Sequence, residues 1–473
     1  MTPARFSPTT VQSPPAAVVP PSLDTPSLPT ERLAALALGF FFALQGMLAN
    51  EFLAVYLGLP IPILILAALP VLLLSILSGR LGRFWQCGIV LPYLTLLLWL
   101  WACTVLGSFK GFYVGMVMYG FRFHLTPFVV CGIASSFGLL RTVVTGYAVG
   151  AFGALLLCAK FGQIDSAGRL GIPDTSLLNP NDLALNLLIG LAILSVFAFD
   201  SNIFKRLLWL VCFAMTLLFV LRTGSRANLV TLGIMLLVIF VTSKSNVRIA
   251  FLTSTLLLGT IMFFIIPAAT RVRLTTFFSF SEEDYSVNSQ VANAATSTEA
   301  RKQLQIRAFK IAIQHPIFGV GPHMFLYSLD DFMRNEEGAN KGTWLHSHNT
   351  YLDLAAETGF PGVLLYCLCM FWCIRTNYQN FQRSQKEVPL SPFLGISISL
   401  MMASIALAVG TLFCSWTYWA TYCYLVGLTA ASQLILRDYD RRRMAAAGPP
   451  PALFPGMAPF KNWRTDRPGD PRR

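Results

Sequence analysis

The residues best suited to chemistry in this chain are few and bunched. It has five histidines, and four of them (His315, His323, His346 and His348) fall within one stretch, 268–359. The tightest group is Trp344-Leu345-His346-Ser347-His348-Asn349. An imidazole titrates close to neutral pH, so one of these side chains is suited to act as a general base. An H-x-H pair can also ligate zinc, but zinc wants three or four ligands. The chain has no HExxH and no cysteine near this pair, so no metal is expected. Arginines form a second group. Arg222 and Arg226 flank Thr223-Gly224-Ser225, Arg122 lies in an apolar run, and Arg301 and Arg307 precede Ile317-Phe318-Gly319-Val320-Gly321. A guanidinium presents a planar fork of donors that fits phosphate. At a membrane edge such a charge either snorkels to headgroups or serves a function. A base facing several guanidiniums suits a lipid-linked phosphate or pyrophosphate donor attacked by a hydroxyl.

Something must hold these residues in place, and the composition says what. Of 473 residues, 55% are hydrophobic and 12% charged, where a soluble protein has about 25% charged. Too few charges remain to coat water-soluble domains, so the chain reads as an all-α polytopic membrane protein. About twelve runs approach the ~20 apolar residues a membrane helix needs. Nine lie in 33–267 and three in 360–436; the fourth, 113–139, carries Arg122 and His124. Every second loop is basic: Arg80 and Arg83, Arg141, Lys205 and Arg206, Lys244 and Arg248, Arg375 with Arg383 and Lys386, and Arg437 with Arg441 to Arg443. The positive-inside rule makes that side cytoplasmic, with both termini on it. The net charge of +13 is then a topological signal, and no nucleic-acid partner is expected. Residues 1–32 are rich in Pro, Ser and Thr without an apolar signal-peptide core and read as a disordered cytoplasmic tail, as does 437–473. The ten cysteines lie in or beside apolar runs without a CxxC pair and read as free thiols. Two segments interrupt the helices on the outer face. One is short, around 162–180, with Arg169 and Asn179 and with Asn181 at its end. The other is the long loop 268–359, which is expected to be the catalytic part, since functional groups concentrate on long loops held by a rigid scaffold.

His348-Asn349, nine residues, Gly359, two residues and Gly362 fit the pattern H-[NSQ]-x9-G-x-x-G, and here the chain resembles the O-antigen ligase family, which also holds polysaccharide polymerases and protein O-oligosaccharyltransferases. The register selects His348 over His346, because nine residues counted on from Ser347 lead to Glu357 where the pattern needs glycine. Arg307, His315-Pro316, Gly319-Val320-Gly321, Asn179-Pro180-Asn181 and Thr223-Gly224-Ser225-Arg226 are similar to further family segments. The family's R-x3-L has Arg307 with Ile311 as its best counterpart and Arg301 with Gln305 as its second, so the choice between the two arginines stays open. The resemblance implies a GT-C-like membrane glycosyltransferase of the bacterial inner membrane, with its active site facing the periplasm and a large periplasmic loop. It implies a glycan donor on undecaprenyl pyrophosphate, an acceptor hydroxyl on lipid A-core or another lipid-linked glycan, inversion at the anomeric carbon, and no cofactor or metal. His348 would be the base. Arg222, Arg226, Arg307 and Arg122 would bind the pyrophosphate. Asn349, His346, Asn181 and Arg301 would position substrate, and Gly319, Gly321, Gly359 and Gly362 would shape the backbone. The competing reading is a transporter or flippase of lipid-linked oligosaccharides. It calls for polar residues midway along several helices and for internal pseudo-symmetry, and the sequence has no internal repeat. A non-catalytic membrane scaffold is the third reading.

Overall fold

The computed structural model describes residues 21–109, 125–166, 168–242, 245–266, 268, 270–271, 289–328 and 346–447. Arg122, His124 and Trp344 therefore lie outside the described residues, as do most of both tails and parts of the 268–359 loop. The apolar runs form helices throughout. In order they are α1 (Pro29–Gly46), α2 (Ala49–Leu57), α3 (Ile63–Leu77), α4 (Val90–Leu106), α5 (125–133), α6 (Phe137–Phe161), α7 (Pro180–Leu194), α8 (Ile203–Arg222), α9 (Arg226–Thr242), α10 (Ser245–Ile265), α11 (Ser289–Gln314), α12 (Thr350–Lys386), α13 (Leu394–Gly410) and α14 (Ala420–Ala447). The strand content of the described residues is one two-stranded ladder, β1 (Gln163–Ile164) against β2 (Leu170–Gly171), in the short segment between α6 and α7.

Every expected span outside 113–139 coincides with one of these helices, and most boundaries move by a few residues. Among the described residues, five stretches are long and apolar enough to cross a bilayer alone: α6, α7 with the turn that follows it, α8, α12, and α13 with the turn that precedes it. The pair α1 and α2, bent by 51°, makes a sixth. The bend falls at Leu48, whose φ of 52° interrupts the helical run. Helices α3, α4 and α9 and the 253–265 part of α10 are apolar but shorter. A mostly helical membrane protein is therefore secure, while the expected count of twelve spans is not reached on length and composition.

Packing follows the rules for helices in lipid, where small residues let backbones approach and polar side chains bind helices together. Along α1 and α6, Gly39 lies against Gly146 and Gly46 against Gly150, so closely that a Cβ at Gly146 would collide with the Gly39 backbone. Asn377 of α12 donates to Thr429 of α14 at 2.8 Å, and Asn380 to Ser432 at 3.1 Å, both buried. Leu98, Phe204 and Phe264 are among many large apolar side chains left exposed, the surface expected of a lipid-facing bundle rather than a water-soluble one. Helix α13 is buried nearly all round and forms the middle of the bundle, against α7, α9 and α12. The chain end of α12 that carries His348 and the loop between α13 and α14 meet at one end of this bundle.

Candidate active site

His348 is fixed by its backbone. It has φ of 55°, a left-handed conformation that a non-glycine residue keeps only where its surroundings over-determine it. They do so here. The His348 N–H donates to Ser415 Oγ at 3.0 Å. Next to it, Thr350 N–H reaches the Thr411 and Cys414 carbonyls at 2.9 and 3.0 Å, and Thr350 Oγ1 donates to the Cys414 carbonyl at 2.7 Å. Trp416 N–H returns a bond to Thr350 Oγ1 at 2.8 Å, and Tyr351 donates to the Ala408 carbonyl at 2.7 Å. The α13–α14 loop thus clamps the start of α12. Asn349 is the N-cap of that helix, its Oδ1 accepting from Tyr351 N–H at 3.0 Å and Leu352 N–H at 3.1 Å. Its side-chain oxygen is therefore committed to the helix, which leaves only Nδ2 for the substrate-positioning role expected of it.

The charges around His348 come from four separate segments. Burial is the main reason its imidazole is pushed down to about 4, and Arg301 of α11 adds to this, with Arg169 and His346 acting the same way and Asp353 against them. The ring is therefore neutral at pH 7 and has a free lone pair. His346 differs. The Asp353 carboxylate, 3.7 Å from its Nδ1, raises it above the usual histidine range against the effect of burial. Two residues apart, one imidazole is held in its neutral form and the other is drawn toward its charged one.

Arg301 is lowered by burial and by its neighbour Arg226, with Asp182 acting in the opposite direction. That links α11 to the Thr223-Gly224-Ser225 turn between α8 and α9. The turn is buried, and Gly224 has φ of 58°. It is braced by the short outer segment. Arg169 Nε donates to the Thr223 carbonyl at 3.1 Å, and Arg169 Nη2 donates to Asn181 Oδ1 at 3.0 Å. Ser225 Oγ donates to the same Asn181 oxygen at 2.7 Å, and Asn228 Nδ2 donates to the Asn181 carbonyl at 2.9 Å. Asn181, 2% exposed, thus organises the arginine-bearing turn rather than lining an open surface. Its neighbour Asp182 accepts from Trp416 Nε1 at 2.9 Å, which closes the circuit back to the α13–α14 loop.

The glycines form a joint. Helix α12 breaks at Gly359 (φ 70°, ψ 177°), a conformation confined to glycine. The Ile317–Gly321 turn docks into this break. Val320 N–H reaches the Ala356 carbonyl at 2.8 Å, Gly321 N–H the Glu357 carbonyl at 3.0 Å and Phe360 N–H the Pro316 carbonyl at 3.0 Å. A Cβ at Gly359 would strike the Ile317 carbonyl, and one at Gly319 the Glu357 backbone. A Cβ at Gly362 would likewise meet the Thr358 side chain, while Gly321 (φ 111°) passes the Phe109 carbonyl at a looser distance. Gly319 and Gly359 thus let the Ile317–Gly321 turn, which follows α11, sit against the break in α12.

Of the expected site residues, the structure brings together His348, His346, Asn349, Arg301, Arg226 and Asn181. Arg222 ends α8 on the other side of the turn, where its charge bears on Cys158 of α6. Arg301 and Arg307, both half-buried, flank the stripe of Leu304, Ala308 and Ile311, which are buried; of the two, Arg301 is the one whose charge bears on His348. Sequence reading passed over Asp182, Asp353 and the site role of Arg169. It also passed over Glu357, a buried carboxylate that accepts from Tyr418 at 2.6 Å and from Phe325 N–H at 3.2 Å. Tyr418 in turn packs against His323, the two rings tilted by 32° with centres 3.9 Å apart. Acidic residues in apolar helices were the available signal, since such groups are expensive in a membrane and have named partners. Among the described residues, no group of three or more His, Cys, Asp or Glu side chains is arranged to hold a metal ion.

Residues 210–367 match a family model described as O-antigen ligase. The matched segment runs from α8 to the middle of α12 and contains Arg222, Arg226, Arg301, His348, Gly359 and Gly362. No curated protein matches the chain.

Proposed function

On the premise that the chain belongs to the O-antigen ligase family, as its match supports, we propose that it is a metal-independent, inverting glycosyltransferase that moves a glycan from undecaprenyl pyrophosphate to an acceptor hydroxyl. The observation that carries this reading is the convergence of a neutral imidazole, His348, with Arg301 and Arg226 on one end of the bundle. In this mechanism, His348 takes the proton of the acceptor hydroxyl as its oxygen attacks the anomeric carbon. The bond from that carbon to the pyrophosphate oxygen breaks, and undecaprenyl pyrophosphate leaves with the electron pair. Arg226 and Arg301 hold the charge that develops on it, which is where fixed donors contribute most. A bound pyrophosphate also offsets the arginine charge that depresses His348. The base therefore becomes stronger when the donor is in place, which favours donor binding before proton transfer.

The acceptor is lipid A-core for a ligase and a second lipid-linked glycan for a polymerase. The basic loops at the other end support an orientation in the bacterial inner membrane with this end toward the periplasm. The test is transfer from an undecaprenyl-pyrophosphate glycan by purified wild type and His348→Ala in EDTA, with each acceptor offered separately. Transfer by wild type alone supports the reading, and the productive acceptor separates ligase from polymerase. Equal transfer by both proteins removes His348 as the base. Movement of the donor across a bilayer without transfer to either acceptor replaces the enzyme with a flippase.

A further inference from the structure

At the end of the bundle away from His348, a cavity of about 530 Å³ opens between the last turns of α12, the middle of α14 and the Leu81–Gln86 turn before α4. Its place follows from α12. The lining residues Thr376 to Lys386 lie roughly 25–40 Å beyond Gly359 along the helix axis, comparable with the ~30 Å hydrocarbon core of a bilayer. The cavity therefore belongs to the opposite membrane face and takes no part in the site described above.

Its chemistry is polar and cationic. Arg383, Lys386 and Arg437 line it with a single acid, Asp440. Arg383 already neutralises Asp440 through two bonds of 2.8 and 3.1 Å. Lys386 has no carboxylate partner among the described residues, and neither has Arg437. Arg437 gives two N–H groups to Gln86, while its Nε is buried without an acceptor. The remaining wall is rich in carboxamides, and two of them, Gln379 and Gln433, have no hydrogen-bond partner among the described residues. Uncompensated cations fit a phosphate. Carboxamides, which both donate and accept, fit hydroxyls. The surroundings are apolar and open to lipid. Trp85 beside Gln86 is 59% exposed, Leu91 one turn on from Gly88 is 72% exposed, and Phe371 before Thr376 is 61% exposed.

We infer that this cavity is a binding site for the headgroup of an anionic phospholipid carrying free hydroxyls, such as a phosphoglycerol, in the leaflet opposite the His348 site. The phosphate lies on Lys386 and Arg437, the hydroxyls on the glutamines, and the acyl chains along the exposed Trp85, Leu91 and Phe371. The test is native mass spectrometry of the full-length protein against equimolar mixtures of phosphatidylglycerol and phosphatidylcholine. Wild type retains phosphatidylglycerol preferentially. Lys386→Ala lowers that retention by about fivefold, the effect of one lysine near an anionic lipid, while Lys302→Ala, an exposed lysine on α11, leaves it unchanged. Gln379→Leu with Gln433→Leu removes the preference for phosphatidylglycerol over phosphatidylmethanol, an anionic lipid without hydroxyls. The proposal is overturned if wild type shows no preference, or if Lys386→Ala and Lys302→Ala behave alike. Displacement of the lipid by soluble glycerol phosphate, to the same extent as by added phosphatidylglycerol, assigns the site to a soluble phosphate instead. Lys386 and Gln379 are exposed side chains, so the fold does not rest on them.

Discussion

The basicity of His348 is the property on which the proposed chemistry turns. Burial and Arg301 both favour its neutral ring, which leaves the lone pair free at pH 7 but makes the resting base weak. Loss of a positioned general base costs about 10²- to 10⁴-fold in rate, and that is the expected effect of His348→Ala on kcat in the transfer assay. The acid limb of kcat/KM, which reports the free enzyme, should fall near pH 4 for wild type. Arg301→Gln removes a cation that opposes protonation, so the limb should move upward in pH; a limb that stays put would separate Arg301 from the base. The same depression has a stability consequence. In the unfolded chain these imidazoles titrate near 6.5, whereas His348 and His323 titrate at about 4 in the fold. Between those values the unfolded chain binds more protons, so stability falls as pH drops from 6.5 toward 4. Thermal midpoints at pH 7 and pH 5 check the sign. His348 was legible in the sequence because the spacing to Gly359 and Gly362 selects it. Arg301 was less so. Motif similarity favoured Arg307, and helical spacing puts both arginines beside the buried Leu304, Ala308 and Ile311, so periodicity alone did not choose between them. Asp182 and Arg169 were not legible as partners of this site, since their roles depend on α7, the α8–α9 turn and the α13–α14 loop meeting in space.

At the scale of elements, the site is as good as its two joints. The first is the break at Gly359. An alanine there must adopt a backbone region reserved for glycine and must also displace the Ile317 carbonyl. Gly359→Ala should therefore lower the thermal midpoint in detergent and cut transfer at least tenfold, with Gly319→Ala behaving alike because both glycines serve the same contact. Their double variant should lose less than the sum of the two, as expected when one interaction is broken twice; additive losses would mean that the turn and the break act separately. The second joint is the cap at Asn349. Its oxygen accepts two backbone bonds, and removal of such a cap typically costs ~1 kcal/mol. Asn349→Asp keeps the cap and loses Nδ2, whereas Asn349→Ala loses both. If the residue serves only as a cap, the aspartate variant keeps wild-type stability and activity while the alanine variant loses both. If Nδ2 meets substrate, the aspartate variant keeps its stability but loses turnover. The sequence pattern told that the Gly359-x-x-Gly362 segment shapes the backbone. It was silent on the docking partner, because the contact of Ile317–Gly321 with the break joins residues about 40 positions apart without any shared periodicity.

For the whole molecule, the proposal rests on how the bundle lies in the membrane. Helices coincide with nearly all the expected apolar runs, yet α3, α4 and α9 are shorter than a bilayer requires on their own. Hydropathy alone marks a run as buried in something apolar, whether lipid or other helices, and cannot count crossings where helices are short or bent. Charge gives the independent argument. Arg83 pairs with Asp438 at 3.1 Å, and Arg383 with Asp440 at 2.8 Å, so the basic loop before α4 and the ends of α12 and α14 meet on one face. His348 and Arg301 belong to the other. Should the first face be cytoplasmic, as its excess of Lys and Arg demands, residues on α11 are periplasmic and those at the end of α14 are not. The ten native cysteines are suited to a labelling test, since all are buried except the half-buried Cys367. In whole cells with a permeable outer membrane, a membrane-impermeant maleimide should label Lys302→Cys, whose parent side chain is 66% exposed. It should label Arg441→Cys, 60% exposed in the parent, only after the inner membrane is opened. The reverse pattern would place His348 and its arginines in the cytoplasm. Glycans on undecaprenyl pyrophosphate would then have to be used before they cross the membrane, and the periplasmic reaction proposed above would fail even if the chemistry at His348 held.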